Sequence, residues 1–443
     1  MMPRCYICIT VLLITFLSAD CQKISKTDKV SLANLQTHVR SLSGDTAGGC
    51  RMGSPAEKAT GDYIISALSQ TGARPKGDNG GWLQTVTIDE GRRLGADAGF
   101  EIDDQSLALG RDWFPLALCP AGQVSGSPAI ALQERGVPWF QDLKEMLDAA
   151  SGAHGLMTAI RAKAAAFAKK GATALILYNS STHHADKLAF DPGDRAEPAA
   201  IPVIYMTKEA RKKFIPDESA SVDIRIRISY TEQEETGHNV IALMDKGAAA
   251  TAVIATRYDN STGAAAMLEL ARLLAASKLR NNNFLFIVFS GNGPVRSGSA
   301  WYGGHPAIDG KKINYMLDLG EIGDFNDTTR LLTVGGYNSS AAWPPLWNSI
   351  RDRRYFSFRY DSSAAGPGDH AIFYRQHIPV LVFSTGTMAP AGATGVGSRG
   401  AGGCGGSAGD PVNYPGELQV LKFVYALIAG ADTRGRITPA PAL

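Results

Sequence analysis

A surplus of either charge is missing from this chain: 44 lysines and arginines stand against 42 aspartates and glutamates, leaving +2 over 443 residues. That balance removes the electrostatic basis for binding nucleic acid or an anionic membrane surface. The one concentrated basic run, Arg211-Lys212-Lys213, reads as a solvated helix face. Cysteine is sparse, at six residues. Cys50, Cys119 and Cys404 lie far apart with no CxxC pair among them, which excludes a zinc knuckle or a thiol redox motif. They leave room for one disulfide in an oxidising compartment, with the pair undetermined. Internal repeats are absent, and beyond the amino-terminal segment no run is long and apolar enough to span a bilayer.

What is present begins with that segment. Arg4, an apolar run from Cys5 to Leu17 and the small-residue end Ser18-Ala19 have the order of a secretory signal over residues 1–20. The expected location is therefore extracytoplasmic: periplasmic, secreted, or held at an outer membrane as a lipoprotein. In the last case Cys21 is the lipidated residue, although Asp20 directly before it departs from the usual lipoprotein pattern. A lipid anchor there is the one membrane link the sequence offers. Cys5 and Cys8 fall inside the signal and carry no metal chemistry.

Apolar content of 44% with 19% charged residues is that of a globular protein. Ser54-Pro55-Ala56-Glu57 opens a helix, with Ser54 as N-cap, Pro55 at the first position and Glu57 three residues after the cap. Gly72 closes it, and a strand follows at Leu83–Ile88. From His238 onward apolar strands (240–244, 252–255, 284–289, 315–319, 380–384) alternate with helices (263–276, 344–353, 370–375, 417–429). Near-continuous apolar strands of this kind form a mostly parallel central sheet with helices on both faces. Ligands in such sheets sit beyond the carboxyl ends of the strands, so the loops after Ala255, Phe289, Leu319 and Ser384 should converge on a site. Residues 101–230 have a different texture, with short strands, Gly/Pro turns and one helix near 157–170. They read as a smaller α+β inserted domain between the core segments 21–100 and 231–435. Met388–Gly409, rich in Gly, Ala and Ser, reads as a long loop over the site edge. Its Gly405-Gly406-Ser407-Ala408-Gly409 matches GxSxG only formally, because no strand precedes it and Asp410-Pro411 follows. His183-His184 reads as a solvated turn.

Several collinear motifs carry a family resemblance. Gly237-His238-Asn239-Val240-Ile241-Ala242, Asp259-Asn260-Ser261-Thr262-Gly263, Ser297-Gly298-Ser299, Asn314 to Leu317, Gly368-Asp369-His370, Ile378-Pro379-Val380-Leu381 and Asn413-Tyr414-Pro415-Gly416 occur in order. Together they resemble the zinc aminopeptidase and glutaminyl cyclase family, and residues 101–230 resemble the protease-associated domain that many members carry. The resemblance implies two zinc ions held by His, Asp, Glu, Asp and His, with a second Glu as general base on the bridging water.

Matched against that pattern, the expected ligands are missing. Arg257 stands where the first histidine belongs, and Asp259 is the one surviving metal candidate. The paired glutamates fall at Asn292 and Gly293. The next aspartate falls at Gly320, with Asp318 two residues earlier and about 6–7 Å along the strand. The closing histidine belongs in 387–408, which contains none. Asp318, Glu321, Asp324, Asp369 and His370 remain as pocket candidates, His370 matching a residue that lines the family's substrate pocket. The expected reading is a non-catalytic relative with no cofactor, zinc being the cofactor of active members, that binds a peptide or protein. The alternatives are an active zinc aminopeptidase with relocated ligands, and a protein whose inserted domain docks a partner or glycan.

Overall fold

A computed structural model describes residues 25–43, 50–149, 152–186, 188–191, 193, 196–217, 219–291, 297–361, 368–385 and 412–441. The signal segment, Cys21, Asn292, Gly293 and the 387–408 loop lie outside the described residues. The chain forms two compact units, residues 1–86 with 237–443, and residues 87–236.

The larger unit is built on a nine-stranded sheet. Along it run Arg74–Pro75, Tyr230–Met244, Asn282–Phe289, Ala250–Arg257, Ile313–Leu319, Val380–Ser384, Leu331–Gly335 and Ser357–Asp361, with Leu83–Leu94 also paired to Tyr230–Met244. The centre is parallel, where Ala250–Arg257 lies between Asn282–Phe289 and Ile313–Leu319, which in turn pairs with Val380–Ser384. Antiparallel pairs appear toward the edges. Alternate residues of the Ala250–Arg257 strand enter different cores. Ala252 and Ile254 pack with the helices Lys26–Leu42, Pro55–Gln70 and Ser261–Ala276. Val253 and Ala255 pack with Tyr302, Ile372 and Phe373 on the opposite face. Burial on both faces is why the strand reads as an unbroken apolar run rather than as an alternation.

The helix Ser261–Ala276 is buried over most of its circumference. Asn260 caps it, accepting from the Gly263 amide at 2.9 Å. A Cβ at Gly263 would stand 2.4 Å from the Leu319 carbonyl oxygen, so only glycine lets this helix approach the neighbouring strand so closely. Glu269, fully buried on the same helix, is held by Arg272 at 2.6 Å and Asn34 at 2.9 Å. Burial alone would raise its carboxyl, but these partners hold it below the usual carboxylate range. Two short strands, Leu331–Gly335 and Ser357–Asp361, extend the sheet beyond the strands read from the sequence. Ser54 caps Pro55–Gln70 as expected, but the Glu57 carboxylate accepts from the Gly53 amide, one residue before the cap.

The smaller unit holds two four-stranded sheets. One orders Gln105–Ser106, Gly99–Ile102, Ile224–Ile228 and Gly122–Gly126; the other orders Trp113–Pro115, Val203–Met206, Leu175–Tyr178 and Trp139–Asp142. Ile224–Ile228 alternates buried isoleucine with exposed Arg225 and Arg227, the period of a half-buried strand. Cys119 is free and buried in this unit, and burial pushes its thiol up to about 12. In the larger unit Cys50 is disulfide-bonded.

Candidate active site

The parallel strands end in a common place because their registers align. Arg257 pairs with Phe289, and Ala255 pairs with Asp318 on the other side. Asp318 itself pairs with Val382. Arg257 therefore stands at the carboxyl end of a central strand, with Asp259 in the turn that leads to the Asn260 cap.

The Arg257 Nη2 donates to Asp259 Oδ2 at 2.7 Å, and the two side chains are 22% and 19% exposed. Burial opposes the guanidinium charge, yet the fields of Asp259, Asp369, Asp318 and Glu321 together outweigh that penalty and raise its pKa further. One arginine thus lies in the field of four carboxyls and in contact with one of them. The Glu321 carboxyl is raised by burial and by the nearby Asp324 and Asp259, against the lowering effect of Arg257. Its backbone carbonyl accepts from the Thr385 amide at 2.8 Å, which ties this turn to the end of Val380–Ser384.

His370, with Asp369 before it, leads into the short helix Ala371–Tyr374 and is almost fully buried. Its Nδ1 lies 3.7 Å from Asp318 Oδ2, and neither ring nitrogen has a hydrogen-bond partner among the described residues. Asp259 Oδ1 is likewise buried without a partner. Arg257, Asp259, Asp318, Glu321, Asp369 and His370, singled out along the sequence, therefore converge.

Gly320 is held by packing. Its amide donates to the Phe383 carbonyl at 2.9 Å, and a Cβ at that position would stand 2.8 Å from the same oxygen. A carboxylate side chain at 320 would force the two strand ends apart.

Sequence reasoning missed one carboxyl. Glu57 reaches the end of Asn282–Phe289, where the Ser290 hydroxyl donates to its Oε1 and the Gly53 amide to its Oε2 at 2.8 Å. Burial raises this carboxyl, against the lowering effect of Ser290, Gly53 and His238. Ser290 continues the Val288 side of the strand, away from the face that Phe289 shares with Tyr302. Glu57 therefore approaches from the face opposite Arg257. The capping pattern around Ser54 hid it, because that pattern already accounts for a glutamate at this position.

Zinc needs most of its imidazole and carboxylate ligands at about 2 Å at once. Among the described residues no group of three or more His, Cys, Asp or Glu is arranged to hold a metal ion. The guanidinium on Asp259 adds a fixed positive charge where a cation would have to enter. Among the described residues the side chains do not fit a two-zinc centre.

Fold and candidate site together define an α/β protein with a mainly parallel central sheet, its candidate site at the carboxyl ends of the parallel strands. Residues 255–397, about a third of the chain, match the model of Peptidase family M28. Similar solved structures include the aminopeptidase from Aneurinibacillus sp. strain AM-1, with 16% identity, a TM-score of 0.45 and coverage of 94% of this chain and 96% of that one. The zinc aminopeptidase BSAP from Bacillus subtilis is 16% identical, with a TM-score of 0.47 and coverage of 95% and 98%. A Peptidase M28 precursor from Shewanella amazonensis SB2B is 17% identical, with a TM-score of 0.43 and coverage of 94% and 99%. No curated protein matches the chain.

Proposed function

We propose that this chain is an M28-type relative that has left two-zinc hydrolysis and binds a peptide or a protein segment at the Arg257 pocket. The observation that carries the reading is the Arg257–Asp259 ion pair with Asp318, Glu321 and Asp369 around it. An arginine cannot lose its charge in a protein. It therefore neutralises the pocket carboxylates permanently, as a metal would in an active relative, without supplying an activated water. The carboxyls around Arg257 outnumber it, so the site favours a ligand that brings a cationic or hydrogen-bond-donating group. His370 and Asp259 Oδ1 offer it uncommitted polar atoms. The signal-like segment 1–20 supports action outside the cytoplasm, with Cys21 as the anchor if the chain is a lipoprotein. The inserted region 101–230 is proposed as the protease-associated-like part.

The test is elemental analysis of protein prepared without chelator, run beside an aminoacyl-substrate assay with added Zn²⁺. The expected outcome is zinc far below one equivalent and no turnover. Near-stoichiometric zinc with chelator-sensitive hydrolysis would replace this reading with that of a working aminopeptidase whose ligands have moved to Asp318, Asp369 and His370. Mass spectrometry of native material should find a mature start near Asp20 or Cys21, and a diacylglycerol mass on Cys21 would establish the anchor.

A further inference from the structure

Away from Arg257, a cavity of about 430 Å³ opens at the edge of the large sheet. Its walls come from the Pro75–Gly80 segment, Gln84 and the chain after the helix Ser297–Gly304, including His305 and Pro306. We propose that this cavity binds a free α-amino acid through its ammonium and carboxylate groups. The proposal is independent of the function assigned to the Arg257 pocket.

Three observations support it. First, the cavity is lined by one cation, Lys76, and one anion, Asp78. Neither forms an ion pair among the described residues, although both line the same space. Asp78 uses only Oδ2, which accepts from the Thr85 amide at 2.8 Å, so its other oxygen is left to a ligand. Opposite charges that line one cavity of small-molecule size without pairing match a zwitterion rather than a simple anion or cation.

Second, the frame is rigid. Gly77 and Gly81 close a tight turn, with the Gly77 amide donating to the Gly81 carbonyl at 2.6 Å. A Cβ at Gly77 would stand 2.3 Å from the Leu83 carbonyl oxygen, so the turn is packed directly on the strand that follows. Gln84, buried at the base, donates from Nε2 to the His305 carbonyl at 2.6 Å and accepts on Oε1 from Asn239. The two walls are thereby tied to each other.

Third, His305 is oriented. Its ring stacks on Trp301 with centroids 4.2 Å apart and an interplanar angle of 17°. Its Nδ1 lies 3.1 Å from the Trp301 carbonyl, which can only accept, so Nδ1 carries the proton. In the neutral ring Nε2 is then a lone-pair acceptor that an ammonium hydrogen can use, and His305 and Asp78 line the same cavity. Lys76 is left to the carboxylate of the ligand.

Titration calorimetry on the full chain with L-alanine, N-acetyl-L-alanine and L-alaninamide tests the assignment. L-Alanine is expected to bind saturably. Each derivative, lacking one of the two charges, should bind at least roughly tenfold more weakly, as should L-alanine to Lys76→Met and to Asp78→Asn. The asparagine keeps an acceptor for the Thr85 amide, and an unchanged melting temperature would confirm that the turn survives. Absence of saturable L-alanine binding, equal affinity for the three ligands, or unaltered binding by both well-folded variants would overturn the proposal.

Discussion

Two carboxyl environments in the larger unit solve the same problem in opposite ways. At the strand ends, Asp259, Asp318, Asp369 and Glu321 lie in the field of one buried guanidinium, whose own charge they hold in place against burial. In the helix Tyr414–Arg434, Glu417 is fully buried, neither of its oxygens has a hydrogen-bond partner among the described residues, and burial pushes its pKa up to about 8. Here the charge is removed by retaining the proton. Burial alone therefore does not predict protonation; the neighbouring charge decides it. The first environment suits a ligand-binding pocket that must stay polar, and the second suits a core that must stay neutral.

Breaking the countercharge should have the largest effect. Arg257→Met leaves the carboxylates without their cation and is expected to destabilise the fold by about 2–3 kcal/mol at pH 8. The loss should shrink as pH falls toward 4, because the orphaned carboxylates then take up protons. Denaturant unfolding of both proteins across that range measures it. An equal loss at every pH would mean that the arginine contributes packing rather than charge.

Glu417 sharpens the other side of the comparison. Its folded pKa lies above the value of an unfolded glutamate, near 4.5. Between those values the folded chain holds a proton that the unfolded chain has released. Its contribution to stability is therefore complete below about 4.5 and declines as pH rises to about 8. Glu417→Gln should flatten that part of the stability profile and make the protein more stable than wild type above pH 8, by a few kcal/mol. Parallel profiles for the two proteins would show that a partner stabilises the carboxylate.

The smallest effect is expected at Ser290. Glu57 lies between the two extremes, buried but given two donors. Ser290→Ala removes one of them and should cost about 1 kcal/mol while raising the Glu57 pKa further. A variant as stable as wild type would leave the Gly53 amide as the donor that matters.

Much of this organisation was legible in the sequence because it is written in local chemistry. The Ser54 cap and the doubly buried strands follow from residue type and spacing. The strands Leu331–Gly335 and Ser357–Asp361 were not legible. They are five residues each, and the second carries exposed Arg359 and Tyr360, so its pattern resembles that of a surface loop. The convergence of Asp318 and His370 could be anticipated from strand order, but their separation could not, since it depends on how far each turn folds back. Glu57 escaped notice because its partner Ser290 lies 233 positions away, beyond any periodicity.

Asn239 carries a consequence for hydrogen exchange. Its side chain, fully buried, donates to Gln84 Oε1 at 3.0 Å and to the Gly298 carbonyl at 2.9 Å, while accepting from the Ser290 amide at 2.8 Å. A single amide group thus fastens a sheet-edge strand, the end of a core strand and the start of a helix. None of the three can open to solvent alone without leaving a buried polar group unpaired. Their backbone amides should then exchange with deuterium at one shared slow rate, as a single opening unit. The segment around Ser290 would behave kinetically as core, although it lies at the end of a strand.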